Sequence, residues 1–226
     1  LIFLDVPGNT FRDASSTPAC PFGDCLFTYS HKLRCLVIEI LSPTHEAVRD
    51  NTLALFDKKV DEMGLYSSLR RPGPVARTYD DVTKQPDAQW LPVVPNEDPS
   101  KPTIMLQVAT AVSQTRAEGE AKRWLTYPRS PVMMVVVIKA YEYPKIVAQT
   151  MTGYRKPQFS IAGTDTECTI TRSDGKTIVK GTLALPFEFI FWREKNKENP
   201  KEQDIVLSEE ELRDFAEAIW KTQGLM

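Results

Sequence analysis

Runs of hydrophobic residues divide the chain into helices and strands in a definite order. Five hydrophobic residues recur at helical spacing after a capping Ser-Pro pair at 42–43, which predicts a helix ending near Gly64. A second helix is predicted over 113–125, with its buried stripe on one face. A third helix begins with a capping box at 208–211 and carries an apolar stripe to the end of the chain.

Shorter apolar runs between and after these helices predict strands. Residues 132–140 are almost continuously apolar, as in a strand covered on both faces, and the turn at 173–176 predicts a hairpin. The other strand predictions are 35–41 (a strand or the approach to the first helix), a hairpin within 66–78, then 88–94, 103–109, 145–152, 158–162, 167–172 and 177–192. This order predicts a mixed α/β fold: a single mixed central β-sheet flanked by helices, with additional antiparallel strands and a C-terminal helix.

The first part of the chain shows no such pattern. Residues 1–34 are rich in Pro, Ser, Gly and Cys, so we expect an irregular N-terminal arm followed by one domain over 35–226. The pair Cys20 and Cys25 lacks a matching second pair for zinc, which favours ordinary reduced thiols and an intracellular location, in the cytoplasm or nucleus. A secretory signal and a membrane association are not expected, because no apolar run approaches the length of a bilayer span.

The balance of charged residues and the motifs in the sequence limit the classes of function that this chain can have. The 28 Lys and Arg nearly balance the 30 Asp and Glu, which argues against tight sequence-blind nucleic-acid binding but allows a local basic strip. Arg70, Arg71 and Arg77, near the predicted hairpin, are candidates for phosphate contacts, although isolated surface arginines are the ordinary case. The sequence contains no nucleophile elbow, Gly-rich phosphate loop or dinucleotide-binding fingerprint.

One group of polar residues is a candidate for a catalytic site. Asp87 opens a predicted strand directly after proline, and Gln107 and Ala109 lie two apart on the next strand, so their side chains share a face. Lys122 lies on the helix that follows. Phosphodiester hydrolysis needs a hard divalent cation, best held by two carboxylates on adjacent strands, with a lysine nearby to orient the attacking water.

These segments resemble a known superfamily. Gln-Pro-Asp-Ala-Gln-Trp at 85–90, the strand and turn at 102–114, and Ala-Lys-Arg-Trp-Leu at 121–125 resemble PD-(D/E)xK nucleases, most closely the Uma2-like branch and its fungal relatives. The resemblance covers residues 42–140. It implies a restriction-endonuclease-like core, with Mg²⁺ as the cofactor if the protein is active.

The resemblance also implies roles for single residues. Asp87 takes the place of the first metal-binding acid, Gln107 that of the second acid, and Ala109 that of the usual lysine. Lys122 matches the lysine that the Uma2-like branch carries on its helix, and Glu46, on the first helix, matches an accessory metal-binding acid.

Gln107 departs from the pattern, because an amide can coordinate Mg²⁺ but brings no charge. The first hypothesis is therefore a pseudo-nuclease that acts by binding a nucleic acid or a protein partner. The alternatives are an active Mg²⁺-dependent nuclease of DNA or RNA, in which Asp87, Glu46 and Lys122 compensate for Gln107, and a structural or interaction domain. Ordinary structural roles are also open: Gln107 hydrogen-bonded in the core, Lys122 on a solvated helix face, and His45 as a capping or surface residue.

Overall fold

A computed structural model describes residues 1–15, 25–94, 100–128, 130–153 and 165–225. The helices are α1 (Gly8–Ser15), α2 (Pro43–Glu62), α3 (Gln114–Thr126), α4 (Phe187–Phe191) and α5 (Glu209–Thr222), with a 3₁₀ turn at Tyr66–Ser68. The strands are β1 (Ile2–Phe3), β2 (Cys25–Ser30), β3 (Cys35–Ile40), β4 (Leu69–Arg70), β5 (Arg77–Tyr79), β6 (Val82–Lys84), β7 (Ala88–Pro92), β8 (Ile104–Ala109), β9 (Met134–Ala140), β10 (Lys145–Thr152), β11 (Glu167–Ser173), β12 (Lys176–Gly181), β13 (Ala184–Leu185) and β14 (Ile205–Val206).

Seven strands form the large sheet, in the order β12-β11-β10-β9-β8-β7-β4. The β8–β9 pair is parallel and the other described pairs in this sheet are antiparallel. Parallel neighbours need a crossover connection, which α3 supplies. The predicted mixed sheet flanked by helices is confirmed.

Both faces of the sheet centre are covered, which explains the continuous apolar run of β9. Alternate residues of β8 face opposite sides: Leu106 and Val108 pack in the core that includes α2 and α5, whereas Met105 and Ala109 pack against α3. Every residue of β9 is buried, as its sequence predicted.

The predicted helix starts are confirmed by their caps. The Ser42 and Ser113 hydroxyls accept hydrogen bonds from the backbone of α2 and α3, each at 3.2 Å, and Ser208 with Glu211 forms the capping box of α5. None of the described helices combines the length and apolarity that crossing a bilayer demands.

The prediction of an irregular arm over 1–34 is wrong for its described residues. They form β1, α1 and β2, and these strands join a second, five-stranded sheet in the order β1-β3-β2-β6-β5. Phe11 of α1 stacks on the buried Tyr29 at 4.1 Å, which seats the helix on this sheet. The partner of β2 in β6 lies more than fifty residues away, so the local sequence carries no signal of the pairing.

Two further predictions are corrected. Residues 66–78 do not form a hairpin, because β4 pairs with β7 in the large sheet and β5 pairs with β6 in the small one. The strand predicted over 177–192 ends at Gly181, and Phe187–Phe191 is helical. At Gly181 the backbone has φ 87° and a Cβ would lie 2.2 Å from the Glu167 carbonyl oxygen, so the close pairing there requires glycine. The strand predicted at 158–162 lies outside the described residues.

One cysteine also departs from expectation. Cys25 is disulfide-bonded, whereas Cys35 and Cys168 are free thiols. The prediction of reduced thiols is therefore wrong for Cys25, and Cys20 lies outside the described residues. Spacing alone does not reveal whether a Cys pair is oxidised.

An ion pair between Arg193 and the buried Glu202 carboxylate stabilises the segment that follows α4. Arg193 donates to both carboxylate oxygens of Glu202, at 2.7 and 2.8 Å, and its guanidinium lies over the Phe187 ring. The Asn196 backbone N–H donates a third hydrogen bond to Glu202, at 2.6 Å. The Arg193 hydrogen bonds, aided by that of Asn196, lower the pKa of Glu202 to about 2.

We expect Glu202→Gln to lower the free energy of unfolding at pH 7 by about 2 kcal/mol, because charge-assisted hydrogen bonds are lost. A carboxylate whose pKa is depressed in the folded state stabilises the fold above its ordinary pKa and loses that contribution as pH falls through the folded value. The gap between wild type and variant should therefore shrink between pH 4.5 and about 2. Urea unfolding at several pH values measures it, with the exposed Glu198→Gln as control. A gap that does not change with pH would contradict this assignment.

Candidate active site

Asp87 is held at the start of β7 by backbone contacts on both sides. The preceding Gln85 accepts from the Phe27 N–H with its side chain at 3.0 Å and donates its own N–H to the Phe27 carbonyl at 3.1 Å. The Asp87 N–H donates to the Leu106 carbonyl of β8 at 3.2 Å. The side chain is therefore fixed between β7 and β8, and the residue is only 2% exposed.

Both oxygens of the Asp87 carboxylate are engaged by the protein. Oδ2 accepts the Val108 backbone N–H at 2.7 Å, and Oδ1 contacts Nε2 of His45. Because an ionised carboxylate can only accept, the imidazole Nε2–H is the donor in this contact. A buried charge needs such partners, since its desolvation is otherwise costly.

The first turn of α2 places the His45 side chain next to Asp87. The Ser42 cap fixes this turn, and the His45 side chain then faces the sheet, with the residue 2% exposed. The prediction of a capping or surface role for His45 is wrong for the side chain, which is buried. Sequence reasoning missed it, although the helical stripe offered a signal: Val48, Phe56 and Val60 are also buried, and His45 precedes Val48 by three positions.

Gln107 lies on β8, beside the strand that Asp87 opens, and it is 6% exposed. Its Nε2 donates to the Val108 carbonyl at 3.5 Å, beyond the usual range for such a bond. Its Oε1 has no hydrogen-bond partner among the described residues. Gln107 therefore brings a buried acceptor to the site but no charge.

Lys139 of β9 lies beside Ala109, the position at which the resemblance places the usual lysine. Ala109 pairs in register with Lys139 of β9, so the two side chains lie on the same face. The short Ala109 side chain leaves room for Lys139, whose ammonium donates to the Thr110 carbonyl at the end of β8. Burial lowers the pKa of Lys139, and the nearby Glu142 opposes this shift. The sequence signal was a single lysine inside the apolar run 132–140.

The other two predicted site residues lie elsewhere. Lys122 is exposed on α3, and among the described residues no hydrogen bond or ion pair joins it to Asp87 or Gln107. Glu46 is half-buried in the first turn of α2, next to His45, and it is His45 that reaches Asp87. The structure thus brings Asp87 and Gln107 to adjacent strands without Lys122, and catalytic or metal-binding roles for all four residues stay predictions.

The described side chains do not fit a magnesium centre. No group of three or more His, Cys, Asp or Glu residues within the described ranges is arranged to hold a metal ion. Mg²⁺ binds through carboxylate oxygens and water, but both oxygens of Asp87 are engaged and the neighbouring strand offers an amide. The orphaned Oε1 of Gln107 can accept from water or a ligand donor.

The His45–Asp87 contact should be a large contribution to stability. We expect His45→Ala to lower the free energy of unfolding by about 3 kcal/mol, because it leaves a buried carboxylate with one partner fewer. His45→Gln, which keeps an amide donor, should lose less.

Urea unfolding measures both variants, and a double-mutant cycle with Asp87→Asn isolates the coupling between the two side chains. Glu46→Gln is the matched control in the same helical turn and should stay within about 0.5 kcal/mol of wild type. Equal, small losses in His45→Ala and Glu46→Gln would contradict the assignment.

Comparison with known proteins adds one finding. No family model matches the chain, and no curated protein matches it. The structure is similar to the crystal structure of a candidate nuclease belonging to DUF820, from Anabaena variabilis, with a TM-score of 0.52 and 12% sequence identity. The similarity covers 92% of this chain and 97% of that chain. The protein therefore has a nuclease-like, restriction-endonuclease-like fold.

Proposed function

We propose that this protein is a pseudo-nuclease of the PD-(D/E)xK superfamily that binds nucleic acid without hydrolysing it. The observation that carries the proposal is the state of Asp87: His45 and the Val108 N–H occupy both of its carboxylate oxygens, and Gln107 replaces the second acid. The fold is that of a nuclease, while the residues at the expected metal position serve another purpose.

The electrostatics of the site support this proposal. A divalent cation is held by a surplus of negative charge, and activated water requires that cation. Around Asp87, α2 contributes an imidazole, β8 an amide and, beyond Ala109, β9 the Lys139 ammonium. One carboxylate among such groups does not supply the charge that Mg²⁺ needs.

A second feature favours nucleic acid as the partner. The hairpin between β9 and β10 and the strand end beside it carry a tyrosine-lysine surface, which consists of Tyr141, Tyr143 and Lys145; the buried Lys139 lies against the Tyr141 ring. The two lysine ammoniums lie 5.1 and 5.0 Å from the Tyr141 ring centroid, and the two rings lie 5.3 Å apart. Tyr143 is 55% exposed. An exposed tyrosine ring near a partly exposed lysine suits the stacking of an unpaired base and contact with its phosphate.

The overall charge sets the kind of binding to expect. With a formal net charge of -2, attraction to phosphate must come from this local surface, and Glu142 in the same loop opposes it. Affinity should therefore be modest, sensitive to salt and greater for single strands than for duplexes.

Binding and hydrolysis can be measured on the same labelled strands. We expect a 20-nucleotide single-stranded DNA or RNA to bind equally in Mg²⁺, Mn²⁺ and EDTA, and to stay intact in all three. Tyr143→Ala combined with Lys145→Gln should weaken binding at least about fivefold, since stacking contributes about 1–3 kcal/mol per base. Fluorescence anisotropy and gel electrophoresis give the two readouts.

Lys180→Gln, an exposed lysine of β12, is the matched control and should bind as wild type does. Cleavage that requires Mg²⁺ and disappears in Asp87→Asn would establish the active-nuclease alternative instead. If neither DNA nor RNA binds, the nucleic-acid proposal fails, and the protein-partner and structural alternatives gain.

The loss of the metal site can be tested by restoring it. We expect Gln107→Glu alone to change Mg²⁺ affinity little, because Asp87 remains bound to His45. His45→Asn with Gln107→Glu should raise the affinity about tenfold or more, because it releases one Asp87 oxygen and adds a second carboxylate. Calorimetric titration with Mg²⁺ and Mn²⁺ measures the change.

The control pairs Gln107→Glu with Asp50→Asn, an exposed carboxylate on the same helix, which leaves the His45–Asp87 contact in place. If wild type binds Mg²⁺ as tightly as the double variant does, the metal site was never lost. If the double variant folds but binds no more tightly than wild type, His45 is not what blocks the metal.

A further inference from the structure

Exposed apolar side chains are concentrated at one edge of the small, five-stranded sheet. Twelve large hydrophobic residues are exposed in the described part of the chain, and half of them lie along β1 or near the two ends of its neighbour β3. These six residues, here called the β1 edge, are Leu1, Ile2, Phe3, Leu4, Leu33 and Ile40. Single exposed hydrophobic residues are ordinary on a protein surface, whereas a group of this size marks an interaction site.

The backbone of β1 directs hydrogen-bonding groups to its outer side. Leu1 and Ile38 exchange two hydrogen bonds, at 2.7 and 2.8 Å, so they form a hydrogen-bonded pair of the antiparallel β1–β3 ladder. Such pairs alternate with pairs whose N–H and C=O groups point away from the partner strand. Ile2, opposite Val37, therefore directs both groups to the outer side, where no other described strand pairs with β1. The same alternation places those of Leu4 there, and the two residues are 70% and 73% exposed.

The β1 edge also lacks the charges that the other edges of the two larger sheets carry. Lysine or arginine on an edge strand disfavours pairing with a further strand, because the charge would be desolvated there. Each of the other three edge strands carries such a residue: Lys176 and Lys180 on β12, Arg70 on β4 and Arg77 on β5. Of these four described edge strands, β1 alone consists of apolar residues, and Leu4 follows it.

The apolar area of this edge approaches what an interface between two chains needs. A large side chain offers on the order of 150 Å² when fully exposed, so six residues that are 39–73% exposed present roughly 550 Å². The largest apolar patch of a monomer is usually about 300–600 Å², and a standard interface buries about 800 Å² on each partner. The β1 edge with its backbone groups is therefore large enough for a reversible association.

We propose that the β1 edge is a dimer interface, in which β1 pairs antiparallel with β1 of a second copy of this chain. A second copy fits because the edge is self-complementary: two identical strands related by a twofold axis satisfy each other's outward N–H and C=O groups. The two small sheets then join into one sheet. This interface lies on the small sheet and the tyrosine-lysine surface lies on the large one, so the inference does not depend on the proposed function.

The outward groups also fix the register of the pairing. When Ile2 of one copy lies opposite Leu4 of the other, the outward groups of both residues in both copies exchange hydrogen bonds, and Phe3 faces its counterpart at the axis. Pairing Ile2 with Ile2, or Leu4 with Leu4, would leave half of these groups unpaired.

Sedimentation equilibrium of the full chain from about 1 μM to about 1 mM measures the association. The apparent mass should rise toward that of two chains as the concentration increases. Ile2→Lys combined with Leu4→Lys should weaken the association at least about tenfold, because it gives β1 the charges that the other edges carry. Both residues are exposed in a single copy, so this variant should unfold in urea as wild type does.

Val93→Lys combined with Val206→Lys is the matched control, because these residues are 51% and 48% exposed and lie outside the β1 edge. The control should associate as wild type does. A chain that stays monomeric over the whole range of concentration overturns the proposal. An association that the Ile2→Lys and Leu4→Lys changes leave as strong as in wild type overturns it as well, because the contact then lies elsewhere.

Cysteine cross-linking tests the register. All variants carry Cys35→Ser, which removes the free thiol of β3 beside Leu4. Phe3→Cys should form a disulfide between two copies on mild oxidation, because the Cα atoms of such an opposed pair lie about 4.5 Å apart. Ile2→Cys should stay reduced, because its two Cα atoms would lie more than about 7 Å apart in this register. Non-reducing electrophoresis separates the outcomes: a cross-link in Phe3→Cys alone supports the proposed pairing, and any other pattern overturns it.

Discussion

The contact between His45 and Asp87 is the constraint on which the centre of this fold depends. It joins the first turn of α2 to the start of β7, and the second oxygen of the same carboxylate accepts the Val108 N–H of β8. Helix and strands therefore meet at one buried charge. Because a carboxylate at this depth is stable only with its partners in place, the three elements hold one another in register.

The residues around this contact provide less negative charge than a magnesium site does. Gln107 brings no charge to β8. Ala109 has a short side chain, and Lys139, its register partner on β9, donates to the Thr110 carbonyl. Each change lowers the attraction for a divalent cation, and the lysine adds attraction for an anion. This charge balance supports the proposal that the protein binds nucleic acid without hydrolysing it.

The sequence predicted the elements whose patterns are local. The apolar run of β9 and the capping box at Ser208 are fixed by neighbouring residues, and the structure has both. The predictions failed where a partner is distant: β2 pairs with β6 across more than fifty residues, and Lys139 meets Ala109 only because of the parallel register that α3 sets. His45 and Glu46 differ by one position, about 100° around a helix, so only the docking of α2 decides which side chain faces Asp87.

Asp87 alone is therefore weak evidence of nuclease activity in a chain with this fold. A carboxylate at this position can be retained for stability alone, because a neighbour such as His45 donates a hydrogen bond to it. Once that partner is buried, replacing Asp87 is costly whether or not catalysis persists. The informative positions are 45, which provides the donor, and 107, which decides whether a second carboxylate is present. A protein with Asp at 87 and Glu at 107, and no donor at 45, would keep the charge that a metal needs, whereas this chain does not.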